Sequence, residues 1–494
     1  MSSFVLRRAR IVELSPGTGH GPDPLDVRVH DDRVAEVGRD LDRPAGVPEY
    51  DAEGRWLVPG LWDQHVHLLQ WAMTASRLDL AGVRSTRDAL TLVTERLRTG
   101  LTGPLVGWGH RSATWDPQPS VAALDVVTGP HPVALMSGDG HHGWLNTAAL
   151  DLLGLARRDD VVAEGEWFPA YTRLAELIAP PPGAVVDVQA EAAARGVVGV
   201  VDLEFGQTLA DWSARPDGVL RLRASTYPET LGEFLTAGLR TGDPVPGCGP
   251  LTTMGPLKII SDGSLNTRTA WCCEPYADRP GTGAPNYTPA ELRELMGEAT
   301  AGGLEVATHA IGDRAVAQAL AAYGETGARG SIEHAQLMRR ADLPELARLG
   351  LRASVQPAHL IDDRDVTDLC WGDRADRAYM FRSMLDAGVE LALGSDAPVS
   401  RLDPWLAIAS AVHRSGDERE AWQPQESLTP REALAASVDG RGTVRAGMPG
   451  DLVLLDHDPL DPTGTPGEQA ARLRSTTVAA TWVAGSLVHD GGVT

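Results

Sequence analysis

His65 and His67 stand two positions apart at the end of the apolar run 60–67 (GLWDQHVH). On a β-strand, residues i and i+2 project from the same face, so both imidazoles point to one side. Two imidazoles converging at a strand end can share a divalent metal ion. The pair alone is weak evidence, because most histidines at this spacing are ordinary core or surface residues. Its weight comes from repetition. His309 ends the apolar run 304–309, His334 lies near the end of 331–335, and Asp396 ends 390–396. One metal site built from the matching ends of several strands explains four histidines and an aspartate together.

Lys258 is the sixth member. It is the only lysine among 44 basic residues, and it sits in the apolar run Pro256-Leu257-Lys258-Ile259-Ile260. Arginine stays protonated, whereas a buried lysine sheds its proton readily. A neutral amine can take up carbon dioxide to form a carbamate able to bridge two divalent ions; a buried ion pair with Asp262 or Glu333 is the plainer alternative. Asp396 has two candidate roles. It can bind a metal, and it can carry a proton from a water whose pKa the metal lowers towards about 7 to a departing nitrogen.

The segment Asp139-Gly140-His141-His142-Gly143-Trp144 adds two adjacent histidines. Neighbouring side chains diverge on most backbones, so at most one of His141 and His142 is expected to face the site, as a catalytic or oxyanion-polarising group. Asp139, Trp144, Asp262 and Trp271 are candidate substrate-binding residues, and Ser264 a candidate pocket residue. Glu333 and Asp313 are candidates for orienting the histidines. Trp62, Trp71, Trp108 and Trp115 lie near the same segments and hint at an apolar or aromatic substrate group. No HExxH, P-loop or GxSxG signature occurs, which removes the usual support for zincin, nucleotide-driven and serine-hydrolase chemistry.

Placing these residues requires strands whose ends meet. Eight apolar runs fit: 60–67, 198–204, 219–225, 255–261, 304–309, 331–335, 352–357 and 390–396. Helical patterns such as 290–302 and 313–323 separate them, as βα units require. Eight parallel strands with crossover helices predict a (β/α)8 barrel over 59–439, with active-site residues at its C-terminal face. Residues 70–190 are too many for one crossover and read as an insertion, with 177–185 (LIAPPPGAV) as its exit linker. Short alternating strands at 4–12, 26–39 and 55–58 match others at 451–456, 476–484 and 486–489. Both termini, 1–58 and 440–494, are therefore expected to build one small composite β-sandwich.

Composition bounds the function. Across 494 residues, 67 acidic side chains against 44 basic ones give a net charge of −23. That argues against nucleic acid or anionic membrane as a partner. Four cysteines without a CxxC pair, and no apolar signal-peptide core, predict a reduced, cytoplasmic setting. A small-molecule substrate is expected; the assembly state stays open, with a homodimer the common case on general grounds.

The motifs together resemble the amidohydrolase superfamily, specifically the family 3 branch that includes N-substituted formamide deformylases. They are VPGLWDQHVHL (58–68), DGHHGWLNTAAL (139–150), KIISDGSLNTRTAWCCEPYAD (258–278), HAIGDRA (309–315), EHAQL (333–337), GSDAPVSRLDP (394–404) and GTVRAGMPGDLVLLDHDPL (442–460). The resemblance implies a barrel with a composite sandwich. It implies ligation of one or two divalent ions, zinc by usual expectation, through His65, His67, His309, His334 and Asp396, with Lys258 as a bridging carbamate. Asp396 would shuttle the proton. The implied reaction is hydrolysis of an amide, formamide or carbamate-like C–N bond by metal-bound hydroxide. Hydrolytic deamination of a heterocycle is the alternative, disfavoured by Lys258; a non-catalytic scaffold is disfavoured by the complete ligand set. Ser137 stands where the branch leads one to expect a basic residue, which leaves the substrate open.

Overall fold

A computed structural model describes residues 3–15, 20–74, 77–101, 103–178, 183–416 and 419–493. Its centre is an eight-stranded parallel barrel: β1 (Leu61–Val66), β2 (Val197–Asp202), β3 (Arg221–Thr226), β4 (Thr252–Ile260), β5 (Val306–Ala310), β6 (Gly330–His334), β7 (Arg352–Val355) and β8 (Glu390–Leu393). These are the eight runs expected, in the expected order. β1 and β2 are buried along their whole length, as strands packed on both faces must be, which is why the sequence shows continuous apolar runs there rather than alternation. The helices fit their local signals. Pro289–Gly302 opens on a Thr288–Glu291 capping box with proline at its start, and ends at Gly303 in the left-handed conformation.

Both termini join one eight-stranded sheet, in which Leu452–Leu455 pairs antiparallel with Trp56–Pro59. The strand Phe4–Ile11 bends where its register slips between Leu6 and Ala9, with Arg8 at φ 55°. Its first half pairs with Leu25–His30 and Glu49–Asp51, and its second half with Trp56 and Leu57. That bulge folds the sheet into the composite sandwich. Phe4, Leu6 and Val27 from one end share its core with Leu452, Leu454 and Trp482 from the other.

The insertion is more ordered than its sequence signal. It carries a five-stranded sheet in the order Val162–Ala163, His142–Leu145, Val133–Ser137, Leu105–His110 and Leu78–Asp79. Alternate residues go to opposite faces: Leu105, Val133, Leu135 and Trp144 to one core, Val106, Ala134, Met136 and Leu145 to the other. Of the expected exit linker 177–185, residues 179–182 lie outside the described residues.

Asp451 fastens the terminal sheet to the barrel. Its fully buried carboxylate accepts from Arg221 Nε at 2.8 Å, Arg441 Nη1 at 2.5 Å and the Ala484 amide at 2.8 Å. Burial alone would raise its pKa, but the two guanidiniums hold it below the ordinary carboxylate value. Asp451→Asn is expected to destabilise the protein by about 2 kcal/mol, below the roughly 3–5 kcal/mol of a fully buried pair because both arginines keep some contact with water. A depressed carboxyl pKa contributes stability above its unfolded value and loses it as pH falls. The gap in thermal midpoint between wild type and variant should therefore be full at neutral pH and shrink below about pH 4.

Candidate metal centre

The barrel closes where β1 meets the end of β8, and the closing contacts run through the candidate ligands. The Asp396 amide donates to the His65 carbonyl at 2.7 Å, and the His67 amide to the Ala397 carbonyl at 2.8 Å. Asp63 reinforces the seam, accepting from the amides of Ser395 at 2.9 Å and His65 at 3.1 Å. Gly394 is required here: a Cβ would lie 2.9 Å from the His65 nitrogen. β8 ends at Leu393, so Asp396 sits in the turn beyond it with φ 58° rather than in the strand; His334 also has a positive φ, 69°. Such backbone is disfavoured for side chains other than glycine and persists where surrounding contacts over-determine it.

These elements bring most of the predicted ligands together. His65 Nε2 and His67 Nε2 lie 3.4 and 3.3 Å from Asp396 Oδ1. Lys258 Nζ, from the interior of β4, is 3.3 Å from His65 Nε2. The rings of His65 and His334 are 5.0 Å apart, and those of His334 and His309 4.6 Å. Two groups of donor atoms fall within 4.8 Å of one another: His65, His67 and Asp396, and His334, His359 and Asp396. His67 Nδ1, His359 Nε2 and Asp396 Oδ1 are buried without a hydrogen-bond partner. Orphaned donors and acceptors converging in a core are costly unless a further group satisfies them. An imidazole–carboxylate donor set fits a divalent metal.

The electrostatics keep the histidines in their ligand form. Burial, reinforced by Lys258 and neighbouring imidazoles, pushes His65 and His309 well below the ordinary histidine pKa; burial, His309 and Lys258 do the same to His334. Burial also brings Lys258 down to about 8, against the pull of Glu333 and Asp396. Glu333 Oε2 binds His65 Nδ1 at 2.7 Å, turning Nε2 towards Asp396.

The insertion supplies the roof. Asp139 and His141 line a cavity of about 40 Å³ together with His65, His67, Lys258, His309, His334 and Asp396. His141 Nδ1 is 3.0 Å from Glu164 Oε2, and Glu164 accepts from Thr267 and Thr269 on the loop after β4. Burial opposes protonation of His141, but Glu164 and Asp139 lift its pKa to about 9. Asp139 accepts from Ser137, the His141 amide and Ser264.

Other expectations are corrected. His142 turns into the insertion against Ser112 and His110. Trp144 is buried in the insertion's core, its indole donating to the Ser120 carbonyl. Asp262 lies under the wall as a brace, accepting from the amides of Trp271, Ile311 and Gly312, and burial raises its pKa to about 7. Trp271 stacks under Arg314 and contributes its backbone rather than its ring. Asp313 faces the Cys273 amide and Arg377, not a histidine. Of the tryptophans, Trp108 lines the cavity and Trp71 an adjoining one. His359 was missed. It follows β7 by four residues and opens the helix His359–Trp371, and its only sequence signal was a histidine just past a predicted strand end.

Comparison with known proteins agrees with this geometry. A family model described as the amidohydrolase family matches residues 49–489. The protein LONG AFTER FAR-RED 3 of Arabidopsis thaliana is 30% identical, over 90% of this chain and 84% of its own. The N-substituted formamide deformylase of Arthrobacter pascens is 26% identical, over 94% of each. An uncharacterized metal-dependent hydrolase from Pyrococcus horikoshii superposes with a TM-score of 0.78 at 24% identity, covering 93% of this chain and 98% of that one, a likeness of fold. Among the described residues no helix is long and apolar enough to cross a membrane.

The Glu333–His65 contact yields a direct expectation. Glu333→Gln keeps the shape but weakens the group that orients His65, so metal affinity should fall about 10–100-fold. Competition against a chromophoric chelator measures this, with circular dichroism confirming an unchanged fold.

Proposed function

The chain belongs to the amidohydrolase family, and from that premise we propose that it hydrolyses the C–N bond of a small amide, of the N-substituted formamide or carbamate-like class. The observation that carries this reading is the shape of the site. The cavity against the histidines holds only about 40 Å³, room for a small acyl head such as formyl. A second cavity of about 640 Å³ shares Trp108, Pro398 and Val399 with it. That larger space, floored by Trp71 and Trp108, takes the amine portion.

His65, His67, His309, His334 and Asp396 would hold the metal, zinc by the nature of the donors, and Lys258 would complete the set as a carbamate. Its amine is buried and its pKa lowered to about 8, so a reactive neutral fraction exists at physiological pH. A divalent metal bound in this set would supply Lewis acidity for the acyl oxygen and the attacking water. Asp396 accepts the proton of that water as its oxygen adds to the acyl carbon. His141, protonated at neutral pH, donates to the oxygen on which negative charge gathers. Asp396 then returns the proton to nitrogen as the C–N bond breaks, leaving a carboxylate and an amine.

Asp396→Asn removes the proton carrier. Turnover of N-formyl and N-acyl amines should fall at least 1,000-fold, towards the upper end of what general acid–base catalysis contributes, about 10²–10⁴, while the thermal midpoint stays close to wild type. Unchanged turnover would sink the mechanism. Release of ammonia from heterocycles, without carboxylate product from any amide, would replace it with deamination. Lys258→Ala should lose metal and regain part of it, with activity, when a short-chain carboxylic acid is added.

A further inference from the structure

Arg77 is a guanidinium enclosed by neutral groups. Its Nη2 donates to the Tyr171 hydroxyl at 2.8 Å, and the rest of the head lies against the sulfurs of Met73 and Met136. It also rests on the Trp108 and Tyr171 rings, 5.3 and 5.6 Å from their centres. Its Nε is buried without a hydrogen-bond partner, and among the described residues no carboxylate pairs with it. The acids nearby are engaged elsewhere. Asp362 pairs with Arg111 at 2.9 Å, Glu191 with Arg195 at 2.9 Å, and Asp79 accepts from the Ala81 amide at 2.9 Å. Glu204, which acts on Tyr171 through space, accepts from the amides of Leu69 and Gln70 and from the Gln70 side chain. A guanidinium is a permanent cation, and holding it largely out of water among neutral partners is costly unless an anion completes it. Its position gives that need a use. Arg77 lines the cavity of about 640 Å³; Trp108 is common to that cavity and the smaller one, and Tyr171 lines the smaller one. In a chain of net charge −23, the unmatched charge at the junction of the two cavities is positive.

We propose that Arg77 receives a carboxylate carried by the amine portion of the substrate, so that the amides cleaved are N-formyl or short N-acyl amino acids. The inference rests on the C–N hydrolysis reading and narrows its substrate class. The acyl head takes the small cavity and the carboxylate meets Arg77 at the junction. An apolar side chain lies against Trp71, Trp108 and Ile361 in the wider space. Charge-assisted hydrogen bonds from a guanidinium to a carboxylate are among the stronger polar contacts a site can offer. The stack on Trp108 and the bond to Tyr171 already hold the guanidinium in place, so little side-chain freedom is lost when the anion arrives.

The test is a paired substrate series on the metal-loaded, full-length protein: N-formyl and N-acetyl amino acids against the same compounds with the carboxylate converted to a carboxamide. Wild type should favour the carboxylate in kcat/KM by about 10–100-fold, the span expected of a hydrogen bond to a charged group. Arg77→Gln should cut that ratio by about tenfold or more, mainly through KM, as loss of uniform binding does. Arg77→Lys keeps the charge and should recover part of the preference. A ratio near one in wild type, or a ratio that Arg77→Gln leaves in place, would overturn the proposal, while turnover of the carboxamides keeps the hydrolysis reading standing. Absence of turnover for every amide would instead overturn the hydrolysis reading. In that case a rise in thermal midpoint with N-formyl amino acids that Arg77→Gln abolishes supports the anion site by itself, and no rise in wild type sinks both.

Discussion

Everything at the barrel's C-terminal face depends on the seam between its first and last strands. A closed barrel must bring β1 and β8 into register, and here the register is set by a few bonds: the Asp396 amide on the His65 carbonyl, the His67 amide on the Ala397 carbonyl, and the Asp63 carboxylate under Ser395 and His65. The same backbone atoms that close the fold thus belong to the candidate metal ligands. Asp63 is fully enclosed, and burial lifts its pKa to about 7. Three backbone contacts to its oxygens compensate for that desolvation, as a buried carboxylate requires. A slip by one residue would turn His65 and His67 to the opposite side of the strand.

The second constraint is electrostatic. Titratable side chains crowd one desolvated pocket, whereas a barrel interior is ordinarily filled by apolar layers. Burying them as charges would be costly, so burial keeps His65, His309 and His334 towards their neutral form and draws Lys258 towards neutrality. Neutral imidazoles and an amine near its uncharged form are what a cation needs around it. The roof has the opposite bias: Glu164 and Asp139 keep His141 charged. Neutral donors below and a cationic donor above match the division the proposed reaction would need, with a metal on one side and an oxygen gaining negative charge on the other.

Much of this was legible in the sequence because strand ends are. His65, His67, His309, His334 and Asp396 each close an apolar run, and a barrel turns a linear pattern of run ends into a ring. Lys258 stood out because arginine serves every other basic position. What the sequence hid were orientations set by tertiary contact. Trp144 and His142 lie within the same short motif as His141, but they follow the insertion's own two-sided alternation, which sends Trp144 into a core. Asp262 reads like a pocket acid until its three amide partners are seen. His359 escaped because it sits on a helix, where the rule of strand ends no longer applies.

The insertion supplies part of the wall over the candidate ligands. Barrel strands carry the candidate ligands, and the space above them is bounded by Asp139, His141, Trp108 and Phe168 from the insertion together with Phe205, Pro398 and Val399 from barrel loops. Its attachment to the barrel is polar and specific: Glu164 to Thr267 and Thr269, Asp139 to Ser264, and the Trp108 indole to the Pro398 carbonyl. Hydrogen bonds of this kind are strong while made and cheap to exchange for water, unlike an apolar interface of the same extent. The roof is therefore held over the candidate metal ligands by polar contacts. Under the proposed reaction, the narrow space beneath it would take the small acyl head and the wider cavity that shares Trp108 would take the amine.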